Sequence, residues 1–384
     1  MALDLSGGAG ERLPHSRILV WCADVSWRIG GLDLWRRALY SACRAGFERL
    51  LIVAAAGAAT IRVALAGDPR LQARQWEVVG PDQWLDRVRG DDGRWVVLPD
   101  RWIVDTAYLR ELAVARGEPA GAAADGPFSA DAATLAALAA EGWTPERRGP
   151  RVAQRLAEPA LYEHVASAAD IGRAEDALFR CLGRNASNAF ARYVDRAMSQ
   201  AISRRLAPWP ITPNQITLFS IALGVAGALL LLRPTYAFGL VGCALFLAST
   251  ILDGCDGEIA RLKFQESPAG AKLDVVGDNL VHALLFPCVA LRAYFANPAG
   301  PYFWLGAVAL AGVAVSWLVV YLVIVRGRAS ARATTFFEAF ANREFAYLLF
   351  GLAVIGKLHW FVWGTTIGIW AFALGLVALH ALDR

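Results

Sequence analysis

Asp253-Gly254-Cys255-Asp256-Gly257-Glu258-Ile259-Ala260-Arg261 closes a long apolar run, and after eight further residues Gly270, Asp274 and Asp278 follow at intervals of four. Asp253 and Asp256 stand at i and i+3 and share one helix face; Asp274 and Asp278 stand at i and i+4 on the next apolar segment. A short basic loop joins the two segments, so the helices are expected to run antiparallel and to gather four carboxylates near a membrane surface. Carboxylates beside a bilayer are costly and usually functional. Their oxygens suit hard divalent cations, and two such ions, Mg2+ or Mn2+, are expected among them. Hard cations at a membrane point to chemistry on phosphates. Gly257 and Ala260 leave the helix surface open for a phosphate or a flat base, and Gly270 permits a close backbone approach. Arg261 offers a planar fork for phosphate oxygens. The plain alternative is a set of solvated acids at a helix end, but the frame fixes eight positions over 26 residues.

The surrounding chain supplies the membrane. Its 384 residues suggest two domains, and its apolar content of 56% exceeds the soluble average of about 45–50%. Up to about Arg205 the sequence reads as soluble, and from Ile216 onward it consists mostly of long apolar runs. Six segments approach the roughly 20 residues needed to span a bilayer: 216–232, 237–252, 273–296, 303–325, 345–357 with its flanks, and 362–382, the fifth being short. Phe190 to Leu206 is a basic amphipathic stretch, with Phe190, Tyr193, Val194, Ala197, Ala201 and Ile202 on one face and Arg192, Arg196, Arg204 and Arg205 mostly away from it. Such a helix ahead of a spanning segment is expected in the membrane interface. Basic residues cluster before the first segment, after the second (Arg261, Lys263, Lys272) and after the fourth (Arg326, Arg328, Arg332, Arg343). That bias places the aspartates, the soluble domain and both termini on the cytoplasmic side of an inner membrane.

Residues 17–115 alternate short apolar runs with helix-like segments. Strands are expected at Arg17–Ala23, Leu50–Val53, Trp76–Val79 and Trp95–Leu98, with a helix from Leu32 to Gly46, giving an α/β, Rossmann-like domain with a parallel sheet. Residues 116–150, rich in Ala, Gly and Pro, read as a loop with one helix near Ser129–Glu141 capped by Ser129. Residues 170–183 read as helical. Six cysteines without C-x-x-C pairs argue against a zinc site or a disulfide framework, and Met1–Arg12 has no apolar core of a signal peptide. The domains are drawn at 1–185, 186–212 (the juxtamembrane helix) and 213–384 (the membrane helices).

The aspartate frame matches, without a mismatch, D-x2-D-G-x2-A-R-x8-G-x3-D-x3-D, the signature of the CDP-alcohol phosphotransferase family, and residues 190–384 resemble that family's six-helix membrane domain. The resemblance implies transfer of a substituted phosphate from a CDP-linked donor to an alcohol acceptor with release of CMP, and assembly as a homodimer through the membrane domain. It implies two metals held by Asp253, Asp256 and Asp274, with Asp278 as metal contact and general base. It also implies a nucleotide pocket involving Asp253, Gly257, Ala260, Arg261 and Gly270. Thr212-Pro213-Asn214-Gln215-Ile216-Thr217 resembles the start of the family's first spanning helix; Thr212 and Pro213 read as a helix cap, whereas Asn214 is free to touch the nucleotide. His282 either serves Asp278 or the acceptor's phosphate, or is an ordinary polar residue of a bundle. Arg343 either holds an anionic acceptor or only follows the arginine bias. The donor reads equally as CDP-diacylglycerol or a CDP-polyol, and no nucleic-acid partner is expected.

Leu5-Ser-Gly-Gly-Ala-Gly-Glu-Arg12, including Gly7, Gly8 and Gly10, resembles the phosphate loop of sugar nucleotidyltransferases, and Asp100 falls where those enzymes place a metal-binding aspartate. The whole layout resembles fused cytidylyltransferase–phosphotransferases that make di-inositol phosphates. Two departures stand out: the glycine loop precedes the first strand, and no lysine precedes Lys263, so that family's catalytic lysine is absent. The N-terminal domain is therefore read as degenerate; an active cytidylyltransferase in a bifunctional protein is the alternative, and a cation transporter is the rival for the membrane domain.

Overall fold

The computed structural model describes residues 16–72, 74–89, 93–115, 120–121, 126–143, 154–155, 161–182, 194–325, 331–340 and 345–382. The N-terminal part comprises β1 (Arg17–Cys22), β2 (Arg28–Ile29), β3 (Leu32–Asp33), α1 (Leu34–Ala45), β4 (Arg49–Ala54), α2 (Ala58–Ala66), α3 (Pro69–Gln72), β5 (Gln75–Val79), α4 (Trp84–Arg89), β6 (Arg94–Leu98), β7 (Trp102–Val104), α5 (Thr106–Val114), β8 (Ala120–Gly121), β9 (Phe128–Asp131), α6 (Ala132–Ala140), β10 (Gln154–Arg155), β11 (Tyr162–His164) and α7 (Ile171–Leu182).

The four expected strands form a parallel block, β6-β1-β4-β5, at one end of a sheet ordered β10-β8-β9-β6-β1-β4-β5, with Val20 opposite Ile52 on one side and Leu98 on the other. Near-continuous apolar runs make this sheet buried on both faces. Ile18, Val20, Leu50 and Ile52 pack one way with α1 and α5, whereas Leu19, Trp21, Leu51 and Val53 pack the other way with Trp84 and Leu135. The sequence expectation fails at Ser129, which lies fully buried inside β9 and caps nothing. β9 pairs antiparallel with β6, and Asp131 caps α6 by accepting a hydrogen bond from Thr134 N at 2.7 Å. A short strand flanked by alanines carries too little periodicity to separate from a loop.

The C-terminal part comprises α8 (Arg196–Leu206), α9 (Pro213–Leu230), α10 (Tyr236–Lys263), α11 (Pro268–Ala296), α12 (Tyr302–Val320), α13 (Ala331–Phe340), α14 (Phe345–Val354) and α15 (Leu358–Leu382). Five of these, α9, α10, α11, α12 and α15, are long and apolar enough to cross a membrane. The fifth expected span corresponds to α14, which has 10 residues. At roughly 1.5 Å per residue it covers only half of the ~30 Å apolar layer. The basic loop expected after the fourth span includes α13, whose Phe336 stacks on Phe372 of α15 at 5.9 Å.

α9 and α10 touch backbone to backbone. A Cβ at Gly227 would stand 2.6 Å from the Gly242 carbonyl oxygen, so only glycine permits this crossing. The closeness aligns Ser220 with Ser249, whose hydroxyl donates to the Ser220 carbonyl at 2.7 Å.

The amphipathic segment is described only in part. Its start, with Phe190, Arg192 and Tyr193, lies outside the described residues. In α8, Ala197 and Ala201 are exposed, and the buried positions are Ser199 and Ser203. The reason is the partner: α8 packs on the Gly254–Glu258 end of α10, where small polar side chains fit and one buried carboxylate needs donors. The two parts of the chain share a core in which Ile29, Leu34, Ala177 and Leu178 meet Ala207, Ile216, Ile259 and Leu262.

Candidate active site

The site begins with the turn between α10 and α11. α10 ends at Phe264, which takes a left-handed conformation (φ 55°), and Gln265 N donates back to Ala260 O at 2.8 Å. Ser267 then caps α11, accepting from Gly270 N at 3.0 Å, with Pro268 at the first helical position. This tight reversal sets the first turns of α11 beside the last turns of α10. Asp253, Asp256 and Asp274 consequently each offer a carboxylate oxygen, all within 4.8 Å of one another. Asp253 and Asp256 are only 7% and 6% exposed. Three buried or half-buried carboxylates at this spacing form an all-oxygen donor set, which fits a divalent cation and would repel itself without one.

Asp278 does not join that group. It lies one turn deeper along α11, about 6 Å further on the axis, and is half-buried. The expectation of four converging carboxylates is thus met by three.

Beside the carboxylates lies a cavity of about 210 Å³, lined among others by Asn214, Asp256, Gly257, Ala260, Arg261, Gly270 and Asp274. Five residues expected at a nucleotide, Asn214, Gly257, Ala260, Arg261 and Gly270, are together here; Asp253 is not on this lining. A Cβ at Gly270 would come to 3.0 Å from Asn214 Oδ1, so glycine lets the two helix starts meet. The Arg261 guanidinium folds over Gly257, where a Cβ would find it at 3.4 Å. Thr212 and Gln215 form a reciprocal capping box, with Thr212 N donating to Gln215 Oε1 at 2.9 Å. That fixes Asn214 at the mouth.

His282 stands among Phe345, Phe246 and Phe286, with ring centroids at 5.5, 6.1 and 6.3 Å, and is not on the cavity lining. Arg343 and the glycine-rich Leu5–Arg12 lie outside the described residues.

Several contributors escaped the sequence reading. Thr217 donates to Asp256 Oδ2 from within the α9 core. Glu258, fully buried, accepts from Ser199 Oγ at 2.7 Å and from Arg196 at 3.3 Å, which holds a second guanidinium near the site. Gln265 and Glu266 line the cavity. An acid inside the apolar frame was the available signal for Glu258; Thr217 was visible only as part of a helix start.

The N-terminal domain grips the same turn. The Phe264 ring sits 4.6 Å from the Arg44 guanidinium and 5.6 Å from the Tyr40 ring, and Arg70 donates to the Phe264 carbonyl at 3.0 Å. Arg44 also pairs with Glu266, and Lys263 Nζ donates to Trp209 O at 2.7 Å. Burial pushes the Asp68 carboxyl up, but hydrogen bonds from Arg70 and Tyr40 outweigh it and hold the group below its usual range. At the C-terminal ends of β1 and β6, the usual ligand crevice of such sheets, Asp100 accepts from Ala23 N at 3.1 Å and pairs with Arg101 at 2.9 Å. Arg101 itself is left-handed (φ 62°) and lies over Trp27 at 5.0 Å.

Residues 210–380 match the CDP-alcohol phosphatidyltransferase family. The matched region holds the three carboxylates and the entire cavity, together with all five long apolar helices. Curated relatives carry the name "Bifunctional IPC transferase and DIPP synthase". The chain is 35% identical to that of Archaeoglobus fulgidus over 144 residues, covering 35% of this chain and 28% of the relative. It is 37% identical to that of Rubrobacter xylanophilus over 103 residues (27% and 23%), and 33% identical to that of Thermococcus kodakarensis over 126 (33% and 27%). The matches thus span about a quarter of each relative's length.

Proposed function

We propose that this chain is a metal-dependent integral-membrane transferase that moves a substituted phosphate from a CDP-linked donor to an alcohol and releases CMP. The observation that carries the proposal is the convergence of Asp253, Asp256 and Asp274 beside a cavity bordered by Asn214, Arg261 and Gly270. Asp253, Asp256 and Asp274 would hold one divalent ion and, with Asp278, a second, Mg2+ or Mn2+; when bound, such ions neutralise the pyrophosphate and its leaving oxygen. The chain's own groups do the rest. Arg261 binds phosphate oxygens through its fork. Asn214 and the open backbone at Gly270 orient the nucleotide. The acceptor hydroxyl oxygen forms the new bond to the transferred phosphorus while the bond to the bridging oxygen of CMP breaks. The hydroxyl proton passes to Asp278, one turn from the donor set. His282 and Arg343 are assigned to the acceptor side.

The arginine bias supports a cytoplasmic placement of the aspartates, the α/β domain and both termini, and the family resemblance supports a homodimer. The pairing of Asp100 with Arg101 and Ala23 supports an N-terminal domain without nucleotidyl transfer of its own. The resemblance of the layout to fused cytidylyltransferase–phosphotransferases supports a soluble CDP-polyol donor over CDP-diacylglycerol.

The test supplies purified full-length protein with Mg2+ or Mn2+, labelled CDP-inositol or CDP-diacylglycerol, and a panel of alcohols. Metal-dependent CMP release with label in a phosphodiester is expected, and Asp278→Asn should abolish it while leaving the protein folded. No CMP from either donor would refute the reading. Pyrophosphate release from CTP and a phosphorylated polyol would refute the inactive N-terminal domain.

A further inference from the structure

A second cavity, of about 460 Å³, opens at the end of the membrane helices opposite the aspartates. It lies between the last turn of α11, the starts of α10 and α12 and the α14–α15 junction, and its polar lining includes Tyr236, Arg292, Asn297, Tyr302 and His359. Its volume is within the roughly 300–1,000 Å³ usual for small-molecule sites.

Arg292 decides its chemistry. The residue is 9% exposed and lies against the α10 backbone, where a Cβ on Gly239 would come to 2.5 Å from Nη2. Its guanidinium donates to the Arg233 carbonyl and, at 2.6 Å, to the Thr235 carbonyl. A guanidinium has five N–H donors in a rigid fork, so the two carbonyls leave further donors for the cavity. Carbonyls also leave its charge uncompensated. The connecting stretches at this end, 231–236, 294–302 and 354–361, contain Arg233 and Lys357 and no Asp or Glu. All fixed charge here is therefore positive, and a buried cation lacking an anion is costly where the surroundings are apolar.

We infer that this cavity binds a phosphate group, held by the free donors of Arg292 with His359 and the Tyr302 hydroxyl beside it. A planar fork of N–H donors matches the oxygens of an anion such as phosphate better than it matches a spherical halide. The position favours a phospholipid headgroup as the source. Lys357 lies 5.9 Å over the Trp360 ring, and with Tyr236 and Tyr302 this gives the aromatic and basic rim found at headgroup depth.

The inference is independent of the transferase reading and is tested by binding alone. Full-length protein in maltoside micelles would be titrated with phosphatidylglycerol, with diacylglycerol as the phosphate-free control, and separately with inorganic phosphate, following thermal unfolding and lipid adducts by native mass spectrometry. Saturable stabilisation with a one-lipid adduct, absent with diacylglycerol, is expected. Saturation by inorganic phosphate alone would support the same site with a free-anion source. Arg292→Gln should weaken binding at least tenfold. Because that change also removes two carbonyl contacts, Ala296→Phe serves as a second variant, filling the exposed edge of the cavity with every cation retained; it should weaken binding equally. No saturable effect of either phosphate source, or unchanged binding in Ala296→Phe, would overturn the inference.

Discussion

Thr217→Val isolates the contact that orients Asp256, one member of the carboxylate set proposed to hold metal. Thr217 and Asp256 are 3% and 6% exposed, so the hydrogen bond between them is sheltered from water. A hydrogen bond to a buried charged acceptor contributes about 1.5–3 kcal/mol. At about 1.4 kcal/mol per tenfold change, its loss should weaken cation retention by roughly 10- to 100-fold, the range typical of partners that orient a ligand from behind. Valine nearly preserves the shape, so the α9–α10 crossing should survive. The assay is CMP release against Mg2+ concentration: half-activation should move upward by that factor, maximal rate at saturating Mg2+ should change less, and Thr217→Ser should restore the original curve. The hydroxyl has one proton and a rival acceptor, the Pro213 carbonyl at 3.2 Å. If the proton points there, valine would alter only stability. An unchanged half-activation in a folded Thr217→Val protein would refute the reasoning.

Three further outcomes are expected. Gly270→Val would drive a side chain against Asn214 Oδ1, 3.0 Å from the first added carbon; CMP affinity, read by calorimetry, should fall at least tenfold with little change in melting temperature. Asp68 is held below its usual range when folded, so its contribution is complete above its unfolded pKa of about 3.9 and is lost as pH falls through the lower folded value; Asp68→Asn should lower stability at neutral pH and flatten the acid limb of a melting-temperature profile. Phe264→Ala removes a ring packed on Arg44 and Tyr40. At about 0.5–1 kcal/mol for the Arg44 cation–π contact, its loss should speed proteolysis within 264–267 while sparing the membrane helices.

The sequence disclosed those parts of the molecule whose physics is local or periodic. The strands at Arg17, Leu50, Trp76 and Trp95 were legible because continuous apolar runs bounded by turns identify a sheet buried on both faces. The aspartates were legible because helical spacing alone sets which carboxylates share a face. What the sequence hid depends on partners. Ser199 and Ser203 form the buried face of α8 only because Glu258 and Gly254 lie opposite; no apolar periodicity marks them. The left-handed Phe264 carries no signal of its own, since a glycine would be the expected residue there. Asp278 lies outside the tight carboxylate group because spacing fixes direction around a helix but not depth along the neighbouring one.

The left-handed Phe264 bears on why the two parts of the chain remain joined. A bulky residue in that conformation is unfavourable by roughly 1–2 kcal/mol and persists only where its surroundings determine it. Here they do so from outside the membrane domain. Arg44, Tyr40 and Arg70 belong to α1 and α3, and together they fix both the ring and the carbonyl of Phe264. The residues that follow, Gln265, Glu266 and Ser267, form the rim of the cavity beside the carboxylates. In the α/β domain Asp100 pairs with Arg101 at the end of β6, and the α1–α3 face holds in place the turn on which the membrane-domain site is built. That mechanical contribution does not depend on what the crevice of the α/β sheet binds. Separating the α/β domain would release Phe264 to relax and would let the mouth of the neighbouring cavity change shape.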